Sequence, residues 1–232
     1  MSSTTPTPPP SPSAVSLTER RKAETRMHIA RAAAGLFVRQ GLRATRAEDI
    51  AQAAGVAPRT FYRYFASKEE AIGPLYAMGA QRWVEAVRTA PADVPLPRVL
   101  EDAARHTLTP GLGVSAASWN WVRTLIRLAQ ADPALRRVWA ETCQASERRL
   151  AQALAERLTA AHPPYDGDNV AARTRLAFAA AVASAAVRTA MENWAAGEGP
   201  SEGPGGPVEL TVANLRALRD FPWGEAAATE GD

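Results

Sequence analysis

The chain has 232 residues, 46% hydrophobic and 22% charged, enough to bury one sizeable core or two small ones. Its single cysteine, Cys143, excludes a disulfide within the chain and a cysteine zinc cluster, and suits a reducing cytoplasm. The net charge of +3 divides into +7 over Thr18 to Lys68 (eleven basic against four acidic residues) and −4 over Glu69 to Asp232 (sixteen against twenty).

A basic amino-terminal fifth on a mildly acidic body suits a phosphate-binding head carried by a regulatory body, although a solvated basic face has the same composition. In chain order, residues 1–16 are Ser, Thr and Pro with few apolar side chains and are expected to be disordered. They also lack the apolar core of a secretory signal. The most apolar run, Leu176 to Val187, is shorter than the roughly 20 residues of a membrane span. The expectation is a cytoplasmic protein with no membrane partner.

From Thr18 the pattern turns helical. Ile29, Ala33, Leu36 and Phe37 share one face, and Gly41 supplies a stop. Thr45-Arg46-Ala47-Glu48 has capping-box spacing and opens a short helix whose buried side is Ala47, Ile50, Ala51 and Ala54. Gly55 breaks it, and Pro58 starts a third helix of about Pro58 to Phe65. Ser67-Lys68-Glu69-Glu70 is a second capping box, expected to open a helix through about Thr89. Further helices are expected at Leu96–Thr107, Ser115–Ala129, Pro133–Ala160, Asn169–Ala195 and Val208–Asp220. Gly197 to Pro207 reads as a flexible connector, and residues 224–232 as a frayed tail. The fold class is all-α, with a helix-turn-helix head at 17–66 and a helical body at 67–223.

Two short helices joined by a Gly-containing turn are a helix-turn-helix, whose second helix enters the DNA major groove. Small Ala51, Ala54 and Gly55 permit the tight turn, and Val56, Phe61 and Phe65 are free to face inward. That leaves Arg59, Thr60, Tyr62, Arg63 and Tyr64 outward, where guanidinium groups fork onto guanine and hydroxyls serve phosphates or thymine.

The stretch from Ile29 through Ala71 closely resembles the DNA-binding domain of the TetR family of transcriptional regulators. Its Ala-Gly-Val turn, Phe-Tyr-Arg-Tyr-Phe block and Ser-Lys-Glu helix start carry the likeness. The resemblance implies that Thr45, Tyr62 and Lys68 hold phosphates of double-stranded operator DNA. It implies that Arg46, Arg59, Thr60 and Arg63 reach bases or nearby phosphates. Ala57 departs from the pattern, standing where the family often has a capping Ser or Thr.

The resemblance also implies a ligand cavity and a homodimer built on the last two long helices. Leu176, Ala180, Ala183, Val187, Ala190, Met191 and Trp194 form one seam, and Val212 and Leu215 an apolar side on the next helix. The stripes are also those of helices facing their own core. For the ligand, Trp119, Arg123 and Arg127 share a helix face on which cation–π contact is available, with Cys143 on the next helix. An exposed Arg face over packed tryptophans has the same pattern. The body further resembles TetR-family regulatory domains with an acyl-CoA-like ligand-binding fold, which implies an acyl-CoA or other lipophilic effector.

No cofactor, metal or enzyme activity is expected. His28, His106 and His162 are scattered, Asp166-Gly-Asp168-Asn169 lacks the other ligands of a calcium loop, and no phosphate-binding glycine motif occurs. The functional expectation is a ligand-responsive transcriptional regulator, a repressor released from its operator by a small lipophilic or acyl-CoA-like effector. A constitutive architectural DNA-binding protein is the alternative.

Overall fold

The computed structural model describes residues 16–111, 118–161 and 170–223. The tails, the Ser115 helix start, His162 and the Asp166–Asn169 turn lie outside them. Among the described residues the chain is helical throughout, with no strand. The head comprises α1 (Leu17–Gln40), α2 (Ala47–Ala53) and α3 (Pro58–Tyr64). Ser16 opens α1 by accepting the Glu19 N–H at 3.2 Å, and the Gly41 N–H closes it on the carbonyl of Phe37. Between α2 and α3, Gly55 adopts φ +62°, a left-handed conformation that side chains with a Cβ resist, so this turn requires glycine.

The body comprises α4 (Gly73–Thr89), α5 (Leu96–Leu108), α6 (Trp119–Ala131), α7 (Pro133–Ala161), α8 (Val170–Ala196) and α9 (Pro207–Ala217). Ser67 does not open α4 directly. Its hydroxyl accepts the Glu70 N–H at 3.3 Å, a 3-10 turn runs over Glu70–Ile72, and α4 begins only at Gly73. Pro74 explains the restart, since it has no N–H and is tolerated only in a first turn.

Two principal cores form, and elements of the body enter both. Ile29, Phe37, Ile50, Phe61 and Phe65 pack in the head with Tyr76 of α4, Leu125 of α6 and Leu135 of α7. Behind them, Trp83, Val87, Leu100, Leu150, Leu154, Leu176 and Leu215 bind α4, α5, α7, α8 and α9. Arg157 ties α7 to the end of α4, its guanidinium donating to the carbonyls of Ala90 and, at 2.9 Å, Pro91. Burial lowers the pKa of this arginine from its ordinary value.

The expected dimer seam is core. Leu176, Ala180, Ala183, Ala190, Met191 and Trp194 are buried in the chain's own interior, as are Val212 and Leu215 of α9. Val187 is half-buried on the same side. The outward face of α8 is another row: Thr174, Ala177, Phe178, Ala181, Ala185 and Thr189. The helix is apolar nearly all round, and it is long and apolar enough, by length and composition, to cross a membrane. Only 33% of its most apolar window is buried, so an apolar outer side remains uncovered within one protomer.

Gly197 to Pro207 is no loose connector. The carbonyl of Pro200 accepts the indole N–H of Trp194 at 2.7 Å. A Cβ at Gly199 would stand 2.7 Å from the carbonyl oxygen of Gly205, so absence of a side chain lets the loop fold onto itself. The glycine content that reads as flexibility serves close backbone approach instead.

Candidate DNA-binding head and ligand cavity

The head is built inward first. Phe61 and Phe65 are buried one turn apart with ring centroids 5.8 Å apart, fixing which side of α3 faces the core. Arg26 of α1 braces the end of this helix, donating to the Tyr64 carbonyl at 3.0 Å with its guanidinium 4.7 Å from the Phe65 ring centroid. The Nε2–H of His28 donates to the carbonyl of Ala54 at 3.1 Å, tying α1 to the turn. Ala57 is the N-cap of α3 and offers no side-chain bond, with Pro58 preorganising the first turn behind it.

Arg59, Tyr62 and Arg63 are exposed on one outward face of α3, and Thr60 is half-buried. Tyr62 donates its hydroxyl to Glu48 at 3.2 Å, and Arg46 lies 3.6 Å from the same carboxylate. The hydrogen bond to Glu48 raises the Tyr62 pKa from its ordinary value. Glu48 was not among the candidate residues. It precedes Tyr62 by fourteen positions, and no local spacing announces the pair.

Three expected phosphate or groove residues hold different positions. Thr45 is fully buried, its hydroxyl donating to the Gly41 carbonyl at 2.8 Å and accepting from Gln40 at 3.2 Å. The cap of α2 falls to Arg46, whose backbone N–H donates to Asp49 at 2.9 Å. Buried Leu42 turns the chain inward after α1, which draws Thr45 into the loop and moves the helix start one residue on. Tyr64 is half-buried against the head core, with Arg63 stacked 5.3 Å from its ring centroid. Lys68 clamps the loop between α1 and α2, donating to the carbonyls of Leu42 at 2.7 Å and Thr45 at 2.8 Å.

A cavity of about 570 Å³ lies behind the head, within the usual size range of small-molecule sites. Trp119 and Cys143 line it, together with Tyr76, Trp83, Trp121 and Trp139. Burial pushes the Cys143 thiol up to about 12. Trp139 donates its indole N–H to Glu192 at 2.7 Å, and Glu192 also pairs with Arg188 at 3.3 Å. A more open, charged hollow beside it is lined by Arg82, Glu85, Asp102 and His106. His106 and Cys143 thus line different spaces.

Arg123 and Arg127 are not on the cavity wall. Arg123 stacks on Trp194, 4.3 Å from its ring centroid, and bonds the carbonyl of Gly199. Arg127 donates to the carbonyls of Ala195 and Gly197 and to Glu198 at 2.7 Å. Both cations therefore sit where the free carbonyls of the α8 C-terminus end, which is where a helix dipole favours positive charge. The cation–π partner is Trp194, not Trp119.

Head and cavity are physically continuous. Arg31 of α1 lines the cavity, and the Trp121 ring lies over Gly35 of the same helix, 3.5 Å from where a Cβ would stand. The Tyr76 hydroxyl donates to the Leu125 carbonyl at 2.8 Å, joining α4 to α6 beneath the head.

The profile of bacterial regulatory proteins of the tetR family matches residues 29–71, from the middle of α1 to the 3-10 turn. The chain is 33% identical over 159 residues to the HTH-type transcriptional regulator TcmR of Streptomyces glaucescens, covering 66% of this chain and 69% of that one. Among solved structures it is similar to FadR of Thermus thermophilus, a TetR-family transcriptional repressor in complex with lauroyl-CoA. The TM-score is 0.51 at 23% identity, over 89% of this chain and 97% of that chain, a likeness of fold. The chain belongs to the TetR family of bacterial regulatory proteins and is a transcriptional regulator with a DNA-binding helix-turn-helix head.

Proposed function

We propose that the chain acts as a homodimeric repressor, released from its operator when a small lipophilic ligand fills the cavity. The carrying observation is that the cavity takes part of its wall from α1, the first helix of the head. A ligand there touches the DNA-binding unit and the body together. Residues 17–66 form the head in this reading and 67–223 the sensing and dimerising body.

On DNA, Arg59 and Arg63 read base edges in the major groove from the exposed face of α3. Arg46, Thr60 and Tyr62 serve phosphates or neighbouring bases, with Glu48 orienting Arg46 and Tyr62 beforehand. Lys68 retains one N–H for a phosphate after donating two to the loop. Two heads are needed, because half-sites lie about 34–36 Å apart along the duplex. The uncovered outer row of α8, with small Ala177, Ala181 and Ala185, supports pairing with the same helix of a second protomer.

The ligand must bind the DNA-incompetent state more tightly, and operator must weaken ligand binding by the same factor. An acyl-CoA, the class found with FadR, is one effector to test. The experiment is fluorescence anisotropy of a labelled duplex selected by unbiased enrichment, titrated with protein and then with a panel of lipophilic acids and acyl-CoAs. Salt-sensitive binding reversed by one compound supports the reading. Operator affinity that no ligand moves points to a constitutive architectural protein. Arg59→Ala or Arg63→Ala is expected to relax base preference at particular positions, by about 1–3 kcal/mol per lost bidentate contact.

A further inference from the structure

The walls of the cavity restrict what fills it, and the inference here rests on the ligand-responsive reading above. Rings stand on three sides: Tyr76 and Trp83 from α4, Trp119 and Trp121 from α6, Trp139 from α7. Four of the chain's six tryptophans thus border one space, a concentration that favours a ligand with ring faces of its own. Two are held edge-on by neighbours, Trp139 by Tyr76 at 5.0 Å and Trp119 by Trp194 at 5.3 Å. Their orientations are set before a ligand enters, which lowers the ordering cost of binding.

The charged side chains that line the cavity have one sign. Arg31, Arg82 and Arg188 border it, and among the described residues no Asp or Glu does. The arginines lie at two depths. Arg188 is half-buried, whereas Arg31 and Arg82 are exposed, as are Gly79 and Trp121 beside them. These exposed residues mark a mouth between α1, α4 and α6. Trp83, Trp119 and Ser184 are buried and belong to the interior. Three of their polar atoms, Nε1 of Trp83, Nε1 of Trp119 and Oγ of Ser184, are buried with no hydrogen-bond partner among the described residues. Buried polar groups are rarely left so, and a ligand oxygen that reached them would supply the missing partner.

We propose that the cavity takes a flat, oxygenated aromatic anion, its fused rings among the tryptophans and its acid group at the mouth beside Arg31 and Arg82. Because Arg31 belongs to α1, the ligand's charge is read by the DNA-binding head itself.

The test uses the full chain, first without DNA and then on the enriched operator duplex. Calorimetry and tryptophan quenching measure affinity for anthracene-2-carboxylate and anthraquinone-2-carboxylate, each beside its own carboxamide, with laurate and lauroyl-CoA as aliphatic acids. Each aromatic acid is expected to bind about tenfold tighter than its amide, and tighter than laurate. Replacing both mouth arginines, Arg31→Gln with Arg82→Gln, brings the acid down to the amide while the amide's own affinity holds, which also reports an intact fold. The anthraquinone is expected to outbind the anthracene, with the gap narrowing in Ser184→Ala. Equal affinity for acid and amide, preference for laurate or lauroyl-CoA, or no binding by either aromatic acid overturns the proposal. An aromatic acid that binds as expected but leaves operator affinity unmoved supports the ligand class and refutes ligand release. Lauroyl-CoA that binds best and frees the operator does the reverse.

Discussion

Replacing Lys68 by methionine separates two roles that the same ammonium holds. The side chain keeps its length and loses its charge, and with it two donated bonds to the Leu42 and Thr45 carbonyls at 2.7 and 2.8 Å. Hydrogen bonds from a charged group contribute about 1.5–3 kcal/mol each when well shielded. Here 24% of the side chain is in water, and the released carbonyls can turn to solvent, so the pair is worth about 1–2 kcal/mol in all. For a chain of this size that lowers the thermal midpoint by roughly 2–8 °C. Scanning calorimetry reads this directly. If the third N–H also neutralises a phosphate, the slope of log affinity against log salt becomes shallower by about 0.9 per head. A midpoint that does not move would refute the clamp. A slope that does not move would restrict Lys68 to holding the loop.

Three further outcomes follow from the geometry. Arg127→Met is expected to lower stability by about 1–3 kcal/mol, because the last carbonyls of α8 lose their cation, while ligand affinity stays constant; a matching loss of ligand affinity by calorimetry would return this arginine to the cavity. Cys143 has a folded-state pKa above the ordinary thiol value, so the stability it contributes is complete below about pH 8.5 and is lost as pH rises toward 12. Iodoacetamide is therefore expected to label it slowly at pH 8 and faster up to about pH 12, with ligand protecting it; rapid labelling at pH 7 measured by mass would contradict its burial. Ala181→Glu places a charge on the uncovered row of α8 and is expected to shift the chain from dimer to monomer by light scattering, whereas a dimer of unchanged affinity would put the interface elsewhere.

The head was legible because its constraints are local. Alternation of inward Phe61 and Phe65 with outward Arg59, Tyr62 and Arg63 is set by helical period, and Ala57 before Pro58 marks a helix start without a side-chain cap. Thr45 was misplaced by one residue because burial of Leu42, a tertiary event, decides where the loop ends. The α8 seam failed for a different reason. An Ala-rich helix apolar nearly all round has no single stripe, so periodicity finds a face without saying whether it meets the chain's own core. Arg123 and Arg127 share the face their spacing promised. Their partners lie about seventy residues away, at a helix end that only the fold brings there.

The joint between head and body decides how a ligand can be felt at DNA. A ligand that changes operator affinity a hundredfold needs only about 2.7 kcal/mol of preference between two states, a few good contacts' worth. That preference is useful only if the contacts differ when the heads move. On the proposed release they do, because the wall is drawn from separate helices. Arg31 belongs to α1, Trp121 to α6 and Trp83 to α4, while Tyr76 and Leu125 hold α4 to α6 under the head. Ligand seated against Trp121 and Arg31 opposes any sliding of α1 over α6 that would close the mouth. The same sliding carries α3, since Arg26 and His28 tie α1 to Tyr64 and Ala54. On the proposed release, affinity for ligand and fit to adjacent major grooves are two readings of one displacement, and a ligand confined to the deep wall, away from α1, is expected to bind without releasing DNA.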